Sequence, residues 1–375
     1  MRAAECAGNA EKTRLRRKVN RIVGRVLLVT VAVVVLAVTA LLILRAYGQH
    51  RIAEETKITS SAGINSLEKV MLGGIEQWIL IRGHDRGKPL LLFLHGGPGM
   101  PNMPLAHLNA ALEKEFVVVQ WDQRGAGKSY SSALRPESLT IEQFVADTLD
   151  LVQLLRSRFG ADKVHLVAHS WGTIVGALAV SHHPEFFHDY VGVSQVGDAV
   201  EIQQRTYDST LDAAMRAGNQ RAVAELKRVG PAPFRSFDDC MTSCKWLAHF
   251  SDPRSERFTT WQGIREGMVS PYYSLGDHLK FYRCMRFSVD ALWGEMSRVN
   301  VPQKVPRIEV PVYFLQGRHD HIIPPALTEE YFRCLDAPRG KQLIWFENSR
   351  HLPHVEEPEK FRAILTEKML KGDKP

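Results

Sequence analysis

Short runs of apolar residues recur along most of the chain, separated by longer stretches in which apolar residues return every three or four positions. The runs fall at 77–81, 90–94, 116–121, 164–168, 190–194, 312–316 and 343–346. They are rich in Val, Leu, Ile, Phe and Tyr and show little apolar/polar alternation. Strands buried on both faces read this way. Helical periodicity occupies 141–159, 172–182, 326–335 and 358–370. Strands alternating with helices predict a mostly parallel sheet covered on both sides. From 199 to 305 the alternation stops, and a helix-rich segment holding Trp246, Trp261 and Trp293 takes its place. That block is expected to form a helical cap over the sheet.

One further segment stands apart. Residues 26–44 carry no charge and consist almost wholly of Val, Leu, Ala and Ile. About 19 apolar residues are what a helix needs to cross a bilayer. Before it lie Arg14, Arg16, Arg17, Lys18, Arg21 and Arg25. Such a basic flank places the N-terminus in the cytoplasm and the rest of the chain outside. The rival is a signal peptide cleaved after Ala40, giving a secreted protein. The long basic region and the continuation of the apolar run through 41–44 favour an uncleaved anchor. The expected organisation is a basic N-terminus (1–25), a membrane helix (26–44), a linker (45–66), a core (67–198 with 306–371) and the cap (199–305).

Composition changes this picture little. Of 375 residues, 45% are apolar and 24% charged, as in ordinary globular proteins. The net charge of +7 comes from the N-terminal cluster, so it is no nucleic-acid footprint. The cysteines, Cys6, Cys240, Cys244, Cys284 and Cys334, are few and odd in number. They show no zinc spacing, and no metal or organic cofactor is implied. Two of Cys240, Cys244 and Cys284 would pair only in an oxidising compartment; buried free thiols are the simpler expectation.

Candidate chemistry lies where apolar runs end. The run through Val167 leads into Ala168-His169-Ser170-Trp171-Gly172, followed by a helical pattern. A small-x-Ser-x-Gly turn between strand and helix is a nucleophile elbow, with Ser170 as nucleophile and the Trp171 N–H aimed at a developing oxyanion. Leu94 opens His95-Gly96-Gly97-Pro98-Gly99, whose backbone can approach a substrate closely, with the Gly97 N–H as second oxyanion donor. Gln316-Gly317-Arg318-His319-Asp320 supplies a carboxylate to orient a base. Ser349-Arg350-His351 supplies that base, and His351 is preferred to His354 because it sits nearer the strand end. The order Ser, Asp, His is the one an α/β-hydrolase uses. Gly125-Ala126-Gly127-Lys128-Ser129 lacks the spacing of a phosphate-binding loop, so no nucleotide site is expected. Asp122 and Arg124 are instead expected to tie down a loop beside the site.

The motifs His95-Gly96-Gly97-Pro98-Gly99, Trp121-Asp122-Gln123-Arg124-Gly125 and Ser170-Trp171-Gly172, with Glu356-Glu357-Pro358 after His351, together resemble the proline iminopeptidases of the α/β-hydrolase superfamily. The resemblance implies an eight-stranded sheet, a helical cap, the triad Ser170, Asp320 and His351, and removal of N-terminal residues from small peptides. It also implies cap carboxylates that hold the substrate's ammonium, one of them in a Trp-Glu-Gly stretch. This chain has Trp261-Gln262-Gly263 there, which leaves Glu266 or Glu295 to supply the charge. A carboxylesterase or amidase acting on small acyl substrates is the alternative, and a membrane-anchored, non-catalytic binding protein a second one. A serine nucleophile argues against dehalogenase and epoxide hydrolase chemistry.

Overall fold

The computed structural model describes residues 2–251 and 258–370. The side chains of 2–13, 15–17 and 19, among them Cys6, Arg16 and Arg17, lie outside the described set, as does the last residue of the expected core, Lys371. The chain divides into an N-terminal unit ending at Glu55 and a second unit that begins at Thr56.

The first unit is one helix, α1 (Arg2–Glu55). Within it, Asn20–Glu55 includes a window long and apolar enough to cross a membrane, none of it buried. The helix therefore runs well beyond the expected boundary at 44. Its continuation is rich in Arg, Gln, Ala and Glu, which are good helix formers.

The second unit is built on eight strands. They are β1 (Ile64–Leu72), β2 (Ile75–Gly83), β3 (Leu90–Leu94), β4 (Val117–Asp122), β5 (Val164–His169), β6 (Phe187–Val193), β7 (Val312–Gly317) and β8 (Lys341–Phe346). Their order is β1-β2-β4-β3-β5-β6-β7-β8, antiparallel across β1-β2-β4 and parallel from β4 onward. Neighbouring residues within a strand feed opposite layers. Leu92, Val119, Leu166 and Phe314 pack in one apolar cluster, while Leu91, Val118, Val167 and Tyr313 pack in the other. Both faces are thus dry, which explains the missing alternation. Burying each such side chain stabilises the fold by roughly 1.5–3 kcal/mol.

Helices α2 (Ile141–Phe159) and α3 (Trp171–His182) connect the central strands. Between β6 and β7 come α4 (Ala199–Arg216), α5 (Gln220–Val229), α6 (Phe237–Phe250), α7 (Thr260–Met268), α8 (Leu275–Met296) and the short α9 (Val301–Lys304). Trp246 and Trp293 pack in a core of their own with Leu226 and Phe234. Helix α10 (Pro325–Cys334) precedes β8, and α11 (Pro353–Glu356) and α12 (Pro358–Leu365) follow it. One strand differs from expectation: β1 begins at Ile64, inside the segment read as linker. It is an edge strand whose residues alternate between covered and exposed, so its polar positions mask it in the sequence.

The Asp122–Arg124 loop after β4 is fixed by two buried contacts. Arg124 makes a forked pair with Asp147 of α2 at 2.9 Å and donates to the Gly73 carbonyl at 3.0 Å. Asp122 accepts from the Lys128 N–H at 2.8 Å and from the Tyr273 hydroxyl, which ties the cap to the core. Burial pushes the Asp122 carboxyl up to about 7 even though both donors favour its anion.

Candidate active site

The parallel strands deliver their loops to one sheet edge, where open α/β sheets build sites. At the end of β5 the backbone of Ser170 takes φ 52° and ψ −119°, a conformation that side chains rarely adopt. Ser170 N–H donates to the Val193 carbonyl at 3.0 Å, and α3 starts at the next residue. Gly172 explains why the turn must be small. A Cβ there would sit 2.6 Å from the Leu94 carbonyl oxygen and 2.8 Å from that of His95.

The other two candidate residues converge on this serine. His351 Nε2 lies 3.0 Å from Ser170 Oγ, and His351 Nδ1 lies 2.9 Å from Asp320 Oδ2. Ionised Asp320 only accepts, so Nδ1 carries the ring proton and Nε2 is left to accept from the serine hydroxyl. Asp320 is buried and also takes the N–H groups of Ile322 and Ile323, both at 2.9 Å. Burial would raise its carboxyl, but the charge and hydrogen bond of His351 and the Ile323 N–H hold it below its usual value. Burial would lower His351, but the Asp320 charge and hydrogen bond, reinforced by Glu356, hold it above its usual 6.5.

Trp171 is the first residue of α3, where N–H groups have no intrahelical acceptor. Gly97 has φ 121°, a region that favours glycine. Two buried residues that sequence reasoning passed over brace this pair of loops. His95 donates from Nδ1 to the Gly96 carbonyl at 2.7 Å and accepts the Gln123 N–H on Nε2 at 3.2 Å. Gln123 in turn donates to the His95 carbonyl at 3.2 Å and accepts from Trp171 Nε1 at 3.1 Å. One glutamine thereby spans the glycine loop and the elbow. The loop carrying His351 is held similarly. Its carbonyl accepts from His169 Nε2 at 2.9 Å and from Ser194 Oγ at 3.2 Å. Glu356 accepts the Arg350 N–H at 2.6 Å, and Glu357 accepts from Ser349 Oγ at 2.6 Å. His354 is buried and packs between His169, Phe93 and Phe361, away from the role of base.

Ser194 also sits in the left-handed region, at φ 51°, and its hydroxyl helps keep Asp320 ionised. It supports both the acid and the backbone of the base. Ser194→Ala is expected to reduce kcat/KM roughly 3- to 10-fold, the equivalent of one ordinary hydrogen bond, while the thermal midpoint of the variant stays close to that of the parent. Three buried histidines crowd the half-buried His351, yet burial pushes His95 down to about 4, His354 down to about 3, and His169 well below its ordinary value. Only His351 moves upward. The acid limb of kcat/KM is therefore expected to follow a single group, with its midpoint above 6.5 and a tenfold loss per pH unit below it. A pH–rate profile of the full chain reads this directly.

The cap residues proposed to bind substrate have other partners. Gln262 forms a capping box with Thr259: its side chain accepts the Thr259 N–H at 2.7 Å, and its own N–H reaches the Thr259 hydroxyl at 3.1 Å. Glu295 accepts the Ile141 N–H at 2.9 Å, at the start of α2. Glu266 pairs with Arg265 at 2.6 Å and His107 at 3.3 Å. Trp261 is exposed. Gln262 and Glu295 are thus engaged in holding helix starts, and Glu266 is engaged by Arg265 and His107. The Thr259-x-x-Gln262 pattern is itself a helix-start signature that would have revealed this. The thiols of Cys240, Cys244, Cys284 and Cys334 are free, with Cys240 and Cys244 Sγ 4.0 Å apart. Among the described residues, no group of three or more His, Cys, Asp or Glu is placed to hold a metal ion.

A family model described as the alpha/beta hydrolase fold matches residues 89–358, most of the chain. The chain belongs to the α/β-hydrolase family. Within that family it is 33% identical over 313 residues to the probable aminopeptidase YbaC of Bacillus subtilis, spanning 82% of this chain and 98% of the relative. It is 27% identical to a proline iminopeptidase of Heyndrickxia coagulans, over 74% of this chain and 89% of that protein. Among solved structures, a bacterial membrane phospholipase A shares the fold with a TM-score of 0.55 at 20% identity, over 94% of this chain and 97% of its own. This α/β hydrolase is a hydrolytic enzyme of the proline iminopeptidase-like group.

Proposed function

We propose that this hydrolase works through an acyl-enzyme on Ser170. The observation that carries the reading is the continuous relay from Ser170 Oγ to His351 Nε2 at 3.0 Å and from His351 Nδ1 to Asp320 at 2.9 Å. His351 takes the serine proton as Oγ attacks a carbonyl, and Asp320 stabilises the imidazolium that forms. The N–H groups of Gly97 and Trp171 receive the oxyanion. His351 then gives its proton to the leaving group. In the second step it takes one from water, which attacks the acyl-enzyme and releases the acid.

The substrates proposed are short peptides that lose their N-terminal residue. The support is the naming of the relatives as aminopeptidase and proline iminopeptidase. A second reading, a carboxylesterase or amidase, is favoured by one observation: Gln262, Glu266 and Glu295 are all engaged by protein groups rather than free to meet an ammonium. The N-terminal helix is proposed as an uncleaved anchor with its basic end in the cytoplasm and the hydrolase unit outside. Its support is the apolar span together with the basic residues before it.

The deciding experiment uses the detergent-solubilised full chain. It compares kcat/KM on proline and alanine p-nitroanilides with that on short-chain p-nitrophenyl esters, with Ser170→Ala as the control. Anilide turnover lost in the variant supports the aminopeptidase, and ester turnover alone transfers the assignment to an esterase. For the anchor, a mature N-terminus at Leu41 in the membrane fraction would show cleavage and remove that reading.

A further inference from the structure

Two cap helices, consecutive in the chain, each expose large apolar side chains. On α7, Trp261 and Ile264 stand one turn apart, and Trp261 is 71% exposed. On α8, Leu275, Leu279 and Tyr282 follow the i, i+4, i+7 spacing of one helix face, with Leu279 at 87% and Tyr282 at 68% exposure. Single exposed apolar residues are ordinary, but five on two helices joined by a short loop are a feature that asks for a partner. Among the described residues, no hydrogen bond reaches the Trp261 indole or the Tyr282 hydroxyl; of the two exposed arginines on these helices, Arg265 pairs with Glu266 at 2.6 Å and Arg283 lies over the Tyr130 ring, 5.8 Å from its centroid. Tryptophan, tyrosine and aliphatic residues flanked by arginine match the interfacial zone of a bilayer, where rings lie at headgroup level and cations meet anionic lipid.

We infer that the α7–α8 face of the cap docks on the surface of a lipid bilayer. The inference rests on the anchor reading above. Through the Asn20–Glu55 span the chain carries its own membrane attachment, and a tether turns weak docking of a second site into an intramolecular event. A second copy of the chain would need no such tether. Docking also reaches the site. The same α8 that presents Leu279 and Tyr282 lies farther along against the glycine loop, where a Cβ on Gly99 would fall 2.8 Å from Met285 Cα.

The test places the full chain in phosphatidylcholine–phosphatidylglycerol nanodiscs with and without lipid spin-labelled near the top of the acyl chain, and reads tryptophan emission. Of the seven tryptophans, Trp121, Trp171, Trp246 and Trp293 are buried and Trp78 and Trp345 half-covered, so Trp261 is the one the label should reach. Label-dependent quenching is expected, with most of it lost in Trp261→Phe and weakened in Leu279→Asp. Both variants should keep Ser170 labelling by a fluorophosphonate, which shows that they fold. Co-elution with the discs but no quenching, or quenching untouched by Trp261→Phe, overturns the docking and leaves the anchor standing. Failure to co-elute removes the anchor and the docking together.

Discussion

Replacing Ser170 by Ala is expected to lower kcat by roughly 10⁶-fold, the loss seen when the nucleophile of a serine triad is removed. The variant should fold as the parent does, because Ser170 contributes backbone geometry and one hydroxyl rather than packing. Its N–H bond to Val193 and the helix that starts at Trp171 do not involve the side chain. Steady-state kinetics with the preferred substrate, alongside a thermal melt, checks both halves. A variant that retained a large share of the activity would mean that another group makes the covalent bond.

Asp320→Asn should cost about 10⁴-fold in kcat while leaving the fold intact. The Asn oxygen can still accept the Ile322 and Ile323 N–H groups that Asp320 accepts now. Its amide, however, would donate toward His351 Nδ1. The ring would then carry its proton on Nε2, facing Ser170, where it is unable to accept the serine hydroxyl. The acid limb should also move. Burial lowers His351, and Asp320 is the main influence that reverses this. Without its charge the imidazolium is less stable, so the limb shifts to lower pH while the plateau falls. A plateau loss with an unmoved limb would show that the carboxylate acts by geometry alone.

Elements are legible in the sequence where one physical constraint dominates. A strand buried on both faces must be apolar throughout, and the runs at 90–94 and 164–168 betray β3 and β5 for that reason. An elbow that turns within one residue needs small neighbours, which the 2.6 Å approach at Gly172 explains. Where two constraints compete, the sequence is silent. Strand β1 is half-exposed at the sheet edge, so its polar residues look like a linker. Gln262 occupies a position where a carboxylate is expected on resemblance, yet its helix start claims the side chain first. Glu295 meets Ile141 across 154 positions of chain, a pairing that no local pattern announces. The braces at His95, Gln123 and Ser194 are invisible for the same reason: each acts on a loop brought near only by the fold.

Ser170, activated by His351 and Asp320, is proposed to form the covalent intermediate. Treatment with a fluorophosphonate, read by the intact mass of the full chain and then by peptide mapping, puts this to the test. One adduct is expected, located on Ser170, absent in Ser170→Ala and formed far more slowly in His351→Ala. No adduct on the folded parent, or an adduct at another residue that persists in Ser170→Ala, would contradict it.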